Sequence, residues 1–218
     1  METWAVVVAG GTGVRFGGPK QLVELGGRRI VDRSIDAVRP HVEGVIVVGH
    51  HQIGTPAGLG VHAVVAGGPT RSASVRAGLA ALPPEVTHVL VHDAARPLAS
   101  AAVVGRVIDA LVDGAEAVVP VVPVTDTLRA IDGGTVDRSR LVAVQTPQGF
   151  ERAALVAAHA AGANATDDAA VLEAWGHPVV HVDGDPVNIK ITMPTDLAVA
   201  EALLSTVGLA DATPDRGA

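Results

Sequence analysis

The sequence predicts an α/β fold: a single doubly wound, mostly parallel sheet with helices on both of its faces. Valine-rich apolar runs recur along the chain, and stretches with helical periodicity lie between several of them. The runs are nearly continuous rather than alternating, which is typical of parallel strands covered on both faces. No linker or internal repeat divides the 218 residues. We therefore expect one domain over residues 1–207, with ligands at the carboxyl ends of its strands.

The first 120 residues alternate between expected strands and expected helices. The strand-like apolar runs lie at residues 4–8, 45–49, 61–65, 88–91 and 117–122. Apolar residues at helical spacing lie within 30–38, 75–82 and 103–111. This order of strand, helix and strand is the pattern of parallel βαβ units.

Residues 121–146 interrupt this alternation and predict a projecting β-hairpin arm. They carry no helical stripe, and two extended segments flank the turn signal Asp132-Gly133-Gly134. The inner part of the arm is polar, and an isolated hairpin is only marginally stable in water. We therefore expect the arm to pack on another surface, most simply on the same arm of a second subunit, which predicts a homodimer.

The main fold is expected to resume after the arm with three helices and two strands. The helices are predicted near residues 151–160, from the N-cap Thr166-Asp167 to about Trp175, and from Pro194 through Leu204. The strands are predicted near 179–182 and 188–191. Residues 208–218 are expected to form a flexible tail.

The most informative functional pattern is the glycine-rich segment after the first predicted strand, AGGTGVRFGGPK at residues 9–20. Its five glycines leave almost no side-chain bulk, so backbone N–H groups can come close to an anion. Two cations, Arg15 and Lys20, lie within the same segment. A polyphosphate is the ligand that fits this combination.

Two familiar phosphate-binding motifs fail on spacing. A dinucleotide fingerprint that starts at Gly11 needs a glycine where Phe16 stands, and no clear acidic ribose ligand follows the second strand. A P-loop needs Gly-Lys-Ser/Thr, whereas Lys20 lies between Pro19 and Gln21. An NAD-dependent oxidoreductase is therefore disfavoured.

Composition disfavours several other classes of protein. The net charge is −7, and neither a basic run nor the aromatic residues typical of a nucleic-acid surface are present. The chain has no cysteine, so a disulfide framework or a thiolate metal site is excluded. It shows no signal-like segment and no apolar run of membrane-spanning length. We expect a cytoplasmic protein that binds neither nucleic acid nor membrane.

Lysine usage adds a functional signal. Only two of the sixteen cationic residues are lysines, Lys20 and Lys190. Lysine presents a compact ammonium, whereas arginine presents a planar fork, so lysines kept in an arginine-rich chain indicate positions that need a point charge. Lys190 lies in NIKITMP, residues 188–194, just before the last predicted helix, and we interpret it as a phosphate contact.

Two further segments are expected at the same sheet edge as the glycine loop. VLVHDAARP, residues 89–97, is a strand that ends in Asp93 and continues into two small alanines and Arg96. A carboxylate beside a triphosphate commonly acts through Mg²⁺ or a ribose hydroxyl, and capping of a following helix is the alternative. GGPTRSASV, residues 67–75, offers N–H and O–H donors to a base or ribose, or serves only to begin a helix.

Seven segments occur in the order found in the 2-C-methyl-D-erythritol 4-phosphate cytidylyltransferase family of the non-mevalonate isoprenoid pathway, which this chain resembles over about residues 4–204. They are AGGTGVRFGGPKQ, GGPTRSASV, HDAARP, TDTL, DR followed by QTPQ, TDDA, and NIKIT. HDAARP and the DR–QTPQ pair do most to separate this family from sugar and molybdopterin nucleotidyltransferases. Pro69 replaces an acidic residue that the family often has, which weakens a ribose contact at that position.

The resemblance implies a Rossmann-like nucleotidyltransferase that uses Mg²⁺ and CTP to convert methylerythritol phosphate into its diphosphocytidyl derivative and pyrophosphate. It implies that CTP is held by Ala9, Gly10, Gly11, Gly13, Gly68, Ser74, Asp93 and Ala94. The implied catalytic residues are Arg15, Lys20, Arg138 and Lys190, with Arg138 crossing from the arm into the site of the other subunit. The implied substrate contacts are Arg96, Thr127, Thr146 and Thr166. The metal ligands stay open, with Asp93 as the candidate.

Three functions are compatible with these residues. The first is the cytidylyltransferase above, and the second is another nucleotidyltransferase that uses ribitol phosphate or a sugar phosphate. The third is a non-catalytic nucleotide-binding domain of the same fold, which is disfavoured because Arg15, Lys20, Asp93 and Lys190 are all present. We expect these four residues around one cleft, and their placement on separate surfaces would contradict all of these assignments.

Overall fold

The apolar runs form the strands of a central sheet, in a computed structural model that describes residues 1–161 and 167–206. The strands are Thr3–Ala9 (β1), Glu24–Leu25 (β2), Arg28–Arg29 (β3), Gly44–Gly49 (β4), Ala63–Ala66 (β5), His88–Asp93 (β6), Ala117–Pro123 (β7), Leu128–Arg129 (β8), Thr135–Val136 (β9), Val142–Val144 (β10), Gln148–Glu151 (β11) and Val180–Asp183 (β12). The helices are Ile30–Val38 (α1), Pro56–Leu59 (α2), Arg71–Ala80 (α3), Ala101–Val112 (α4), Arg152–Ala160 (α5), Asp168–Glu173 (α6) and Pro194–Thr206 (α7). The predicted tail, 208–218, lies outside the described residues.

Within residues 1–161 and 167–206, the main sheet has eight strands and is mostly parallel. Its order is β10–β7–β11–β6–β1–β4–β5, and β12 pairs with β7 as well. Strands β1, β4, β5 and β6 are parallel neighbours, and β7 and β12 run in the same direction. Only β10 and β11 run against them. The predicted α/β class and the mostly parallel sheet are therefore confirmed.

Helices cover both faces of the sheet, as the doubly wound prediction requires. Val6 of β1 faces a cluster that contains Val75 of α3 and Leu155 of α5. Its neighbour Val7 points to the opposite face, into a cluster that contains Ile35 of α1. Because successive side chains of a strand alternate between faces, a strand buried on both sides must be apolar throughout. Within the described residues, no helix is both long and apolar enough to span a bilayer.

The parallel strands end together, which places their following loops at one edge of the sheet. Val8 of β1 is in register with Asp93 at the end of β6, and Ala9 is in register with Gly49 at the end of β4. Gly49 in turn pairs with Ala66 at the end of β5. The glycine loop and the segments after β5 and β6 therefore meet at this edge.

The predicted strand at residues 188–191 is wrong. The backbone there makes turn bonds, from Asn188 N to Asp185 O and from Ile189 N to Val187 O, and one bond from Ile191 N to Ala95 O. Both edges of β6 are already occupied, by β1 and β11, so this segment has no free edge of β6 to pair with. Ile191 is instead buried in a small third cluster with residues of β2, α1 and α7.

Residues 121–146 form an extended arm whose surface is largely exposed. Strands β8 and β9 pair in antiparallel fashion around a turn with Gly133 and Gly134, both at positive φ. The returning segment, β10, pairs with the end of β7 and so attaches the arm to the main sheet. Ile131 at the tip and Leu141 near the base are both exposed. The expected hairpin is present.

Candidate active site

A cleft of about 460 Å³ opens at the sheet edge where β1, β5 and β6 end. Eleven of the predicted site residues line it: Ala9, Gly10, Gly11, Gly13, Arg15, Lys20, Gly68, Ser74, Asp93, Ala94 and Lys190. One cleft therefore contains all four charged residues that we expected to share it: Arg15, Lys20, Asp93 and Lys190.

The glycine loop is a compact turn held by its own backbone. The carbonyl of Gly13 accepts hydrogen bonds from the N–H groups of Phe16 at 2.8 Å and Gly17 at 2.9 Å. Gly13 has a φ of 66°, and a Cβ at this position would overlap the carbonyl oxygen of Gly18. Glycine is therefore required at this position, whereas Gly11 has open space on its side-chain side. The loop presents bare backbone to the cleft.

The two cations of the loop both line the cleft but differ in exposure. Arg15 is exposed, whereas Lys20 is half-buried and donates from Nζ to the carbonyl of Ile191. Burial, and secondarily the nearby charge of Lys190, lowers the pKa of Lys20 below its ordinary value of 10.5. Cations crowded in this way attract an anionic ligand that relieves their repulsion.

Asp93 is buried and bridges two cations from different elements. Its Oδ2 accepts from Lys190 Nζ at 2.6 Å, and its Oδ1 accepts from Arg71 Nε at 3.4 Å. Burial alone would raise the pKa of Asp93, but Arg71 and Lys190 outweigh it and hold that pKa well below the usual range. The carboxylate is therefore ionised and aims both cations at the cleft.

A buried hydrogen-bond chain lies behind Asp93. The Asp93 N–H donates to Thr146 Oγ1 at 3.0 Å, and Thr146 Oγ1 is 3.0 Å from His92 Nδ1. On its other side His92 Nε2 faces the carbonyl of Arg96 at 3.1 Å. Since a carbonyl only accepts, Nε2 carries the proton and Nδ1 accepts from the threonine hydroxyl. Burial lowers the pKa of His92 to about 4, consistent with this neutral form.

The opposite wall of the cleft is the start of α3. Thr70 caps this helix by accepting from the N–H of Ala73 at 3.1 Å. Ser74 Oγ accepts from the Gly68 N–H at 3.1 Å and donates to the Thr70 carbonyl at 3.0 Å. A Cβ on Gly68 would lie 2.5 Å from the Cβ of Ala73, so only glycine permits this approach. Apart from Arg71, this wall is uncharged and offers backbone groups.

Sequence reasoning missed Arg71, which lines the same cleft. Its guanidinium donates to Asp93 and, from Nη1, to Asp168 at 2.6 Å. Burial would lower the pKa of Arg71, but Asp168 and Asp93 outweigh it and raise that pKa above its ordinary value. The sequence feature that could have identified Arg71 is its position in GGPTRSASV, where it is the one charged residue among uncharged side chains. A cation at a helix N-terminus is unfavourable unless carboxylates hold it.

Four other predicted contacts lie apart from this cleft, and Thr166 lies outside the described residues. Thr146 is buried behind Asp93. Arg96 donates to the carbonyls of Asn188 at 2.7 Å and Val144 at 3.0 Å, so it ties the base of the arm to the loop before α7. Thr127 and Arg138 lie on the exposed arm, where Arg138 donates to the carbonyl of Thr125. Substrate contacts by these residues stay predictions.

A magnesium ion fits this cleft only as part of a nucleotide complex. The described residues contain no group of three metal-binding side chains, and Asp93 is the one carboxylate among the residues that line the cleft. Mg²⁺ commonly takes one or two carboxylates and completes its shell with water and substrate phosphates. The donor set therefore suits a metal that takes its remaining ligands from a triphosphate, with Asp93 as the protein ligand.

The arrangement suits chemistry between two anions. Bare backbone forms one side, and a wall that is uncharged apart from Arg71 faces it. Positive charge in the lining comes from Arg15, Lys20, Arg71 and Lys190. Fixed cations placed where negative charge accumulates lower the barrier to phosphoryl or nucleotidyl transfer. No strong general base is needed when the nucleophile is itself an anion.

Comparison with protein families matches residues 3–206 to the family described as IspD, 2-C-methyl-D-erythritol 4-phosphate cytidylyltransferase. A protein of that name from Nocardia farcinica (strain IFM 10152) is 46% identical over 214 residues, which cover 92% of this chain and 93% of that protein. The bifunctional enzyme IspD/IspF of Nitratidesulfovibrio vulgaris (strain DP4) is 47% identical over 231 residues. That match covers 93% of this chain but 58% of the bifunctional protein, so the chain spans little more than half of that relative.

Solved structures agree with the sequence comparison. The crystal structure of 2-C-methyl-D-erythritol 4-phosphate cytidylyltransferase from Thermus thermophilus matches with a TM-score of 0.81 and 40% sequence identity. The match covers 92% of this chain and 98% of that one. At this identity the likeness extends beyond the fold to the sequence itself.

Proposed function

Because this chain belongs to the 2-C-methyl-D-erythritol 4-phosphate cytidylyltransferase family, we propose that it transfers CMP from CTP to 2-C-methyl-D-erythritol 4-phosphate. The products are 4-diphosphocytidyl-2-C-methyl-D-erythritol and pyrophosphate. The observation that carries the proposal is the convergence of Arg15, Lys20, Asp93 and Lys190 on one glycine-lined cleft. A non-catalytic relative would have no need to retain this set of charges.

The reaction is an in-line displacement at phosphorus. A phosphate oxygen of the acceptor attacks the α-phosphorus of CTP, a new P–O bond forms, and the bond to the β-phosphate breaks as pyrophosphate leaves. Near neutral pH the acceptor phosphate is already anionic, so the barrier comes from bringing two anions together. Positioning and electrostatic stabilisation therefore account for the catalysis.

Each wall of the cleft has a part in this reaction. The glycine loop around Gly10 and Gly11 holds the nucleotide, with Gly68 and Ser74 on the facing wall. Arg15 and Lys20 neutralise the charge that builds on the α-phosphate and on the departing pyrophosphate. Lys190, held by Asp93 at the junction of the two substrates, receives the acceptor phosphate. A magnesium ion bound with the triphosphate and Asp93 supplies further neutralisation of phosphate charge.

We further propose that the arm forms a homodimer and completes the acceptor side of the site. The exposed apolar side chains of the arm, Leu128, Ile131, Leu141, Val142 and Val144, support this assembly because an isolated arm leaves them in water. Arg138 is also exposed and is not among the residues that line the cleft of its own chain. Crossing to a second subunit brings Arg138 to the acceptor phosphate. The cytoplasmic location expected from the sequence stays a prediction.

A substrate matrix tests the proposed function. Pyrophosphate release is measured with Mg²⁺ for ATP, CTP, GTP and UTP, each with methylerythritol phosphate, ribitol phosphate or glucose 1-phosphate. We expect turnover only for CTP with methylerythritol phosphate. Turnover with ribitol phosphate or glucose 1-phosphate instead would assign the chain to another nucleotidyltransferase activity, and no turnover with any pair would reject catalysis.

A further inference from the structure

Behind the cleft, Arg71 is the outer end of a buried chain of polar groups that the reaction itself does not use. Its Nη1 donates to Asp168 Oδ2 at 2.6 Å, and the other oxygen, Oδ1, is 2.9 Å from His159 Nε2. Asp168 and His159 are both almost completely buried, on α6 and α5. Two successive helices, α5 and α6, therefore meet the distant helix α3 in one hydrogen-bonded line that ends at the substrate cleft.

The geometry fixes the tautomer of His159. The ionised carboxylate of Asp168 only accepts, so His159 Nε2 carries a proton and donates it. Among the described residues, His159 Nδ1 has no hydrogen-bond partner. A neutral ring with its proton on Nε2 accounts for both facts, because a second N–H on Nδ1 would be buried and unpaired. The ring thus acts as a single donor that holds one oxygen of Asp168.

Asp168 in turn decides how Arg71 approaches Asp93. Arg71 Nε is 3.4 Å from Asp93 Oδ1, a longer contact than the 2.6 Å that separates Lys190 Nζ from Oδ2. Among the described residues, Arg71 donates to the carboxylates of Asp93 and Asp168. Without Asp168, the guanidinium would compete with Lys190 for Asp93. The shorter bond to Asp168 holds the guanidinium back and leaves Asp93 Oδ2 to the lysine.

We propose that Asp168, clamped by His159, is a positioning residue that sets the orientation of Arg71 in the nucleotide half of the cleft. Neither side chain touches the substrates, and both act through the guanidinium. Arg71 stands beside Gly68, Thr70 and Ser74, the wall assigned to CTP, so loss of its orientation affects CTP more than the acceptor. This effect on CTP rests on the proposed function, whereas the orientation of Arg71 does not.

Steady-state kinetics with each substrate varied in turn provide the first test. We expect Asp168→Asn and His159→Leu to raise KM for CTP about ten-fold, the scale of one hydrogen bond to a charged group, with KM for methylerythritol phosphate unchanged. In His159→Gln the side-chain amide places an N–H donor where histidine Nε2 lies. This variant should therefore have a KM for CTP close to that of the wild-type protein, unlike His159→Leu. Equal loss for leucine and glutamine, or equal rises in both KM values, would overturn the proposal.

A double-mutant cycle separates positioning from general damage. If Asp168 acts through Arg71, Arg71→Met combined with Asp168→Asn should be no worse for CTP than Arg71→Met alone. Additive losses would contradict this. The matched control is His177→Leu, because His177 forms a similar pair with Glu116, 2.7 Å from Nδ1 to Oε2, at a more exposed position. It should leave both KM values unchanged, and a shift equal to that of His159→Leu would also count against the proposal.

Proton exchange at Arg71 can be measured without turnover, so it tests the positioning role of Asp168 and His159 separately from the proposed function. The Nη1–H signal of Arg71, from the group that donates to Asp168 and assigned by its loss in Arg71→Met, should exchange slowly with water in the wild-type protein. Exchange should become at least about ten-fold faster in His159→Leu and Asp168→Asn and stay slow in His159→Gln, since a hydrogen bond to a charged group is worth roughly that factor. Unchanged exchange in the leucine variant would reject the positioning role even in an active enzyme. Absence of wild-type turnover would reject only the proposed function; should Asp168→Asn not fold, the leucine and glutamine variants decide.

Discussion

Lys190 and Asp93, 97 positions apart in the sequence, form a hydrogen-bonded ion pair of 2.6 Å at the centre of the cleft. Asp93 also accepts a hydrogen bond from Arg71, so replacing the carboxylate removes an ion-pair partner from both Lys190 and Arg71. We expect Asp93→Asn to lower kcat about 10²-fold, the scale seen when one oriented electrostatic group is removed. KM for CTP should rise as well, since Asp93 is the proposed protein ligand of the magnesium ion that binds with the triphosphate and also holds Arg71 on the CTP side of the cleft. Asp183→Asn, an exposed carboxylate on β12, is the matched control.

Lys20 combines partial burial with a position between two other cations, so its ammonium is poorly solvated before a ligand arrives. Lys20→Ala should lower kcat at least about 10²-fold. Arg76→Ala removes a cation from the exposed face of α3 and should leave kcat unchanged. A similar loss in both variants would indicate an effect of overall charge and would contradict a specific role for Lys20.

Two glycines of the loop should respond to alanine in opposite ways. At Gly11 a methyl group meets no neighbour and extends into open space at the cleft, so Gly11→Ala should weaken CTP binding while the melting temperature stays unchanged. At Gly13 the methyl group overlaps the Gly18 carbonyl and φ is 66°, so Gly13→Ala should lower the melting temperature by several degrees, about 1 kcal/mol or more. Calorimetry and CTP titration of both proteins check this contrast. Equal melting temperatures for the two variants would argue against the turn described above.

His92 makes folding stability depend on pH between about 4 and 6.5. The unfolded chain takes up a proton below the ordinary histidine pKa of 6.5, whereas burial lowers the pKa in the folded protein to about 4. The free energy of unfolding therefore contains the full contribution of the neutral ring above pH 6.5. It falls by about 3 kcal/mol in total as the pH decreases towards 4.

Denaturant unfolding from pH 7 down to about 4.5 measures this loss, and His92→Gln should flatten the slope. The imidazole signals of His92 provide a direct check that is independent of the variant's stability. They should show no titration above about pH 5, and a midpoint near 6.5 would refute the buried neutral assignment.

The arm provides a prediction about the acceptor. Arg138→Ala should raise KM for methylerythritol phosphate about ten-fold or more, as expected for one charged contact to phosphate, with little change for CTP. Arg129→Ala, another exposed arginine of the arm, is the control and should have little effect. Sedimentation should give a dimer at assay concentrations. A fully active monomer would exclude catalysis across subunits.

Sequence reasoning located the parallel strands and the cleft because both depend on local patterns. Valine-rich runs mark buried strands in this chain. The glycine at position 13 is required by a close approach to the carbonyl of Gly18, only five residues away. By contrast, β11 was not predicted. Its four residues, Gln148–Glu151, carry two polar side chains and a glycine, and they become a central strand only because β6 and β7 leave a gap between them.

The part of the site that sequence reasoning missed depends on long-range contacts. Nothing near Arg71 in the sequence indicates that Asp93 and Asp168 will hold it, since these lie 22 and 97 positions away. The mistaken strand at 188–191 has the same origin. Its apolar alternation is real, but whether Ile189 and Ile191 lie in a sheet depends on which strand edges the rest of the chain leaves free.

The contact from Lys20 to the carbonyl of Ile191 joins positions 171 residues apart, so the candidate active centre is assembled from segments that are distant in the sequence. During translation the glycine loop leaves the ribosome long before the segment that anchors Lys20 and supplies Lys190. A nascent chain that stops between the two carries the loop without Lys190 and without the carbonyl that fixes the Lys20 side chain. The proposed active centre is therefore complete only after residues 190 and 191 have been made.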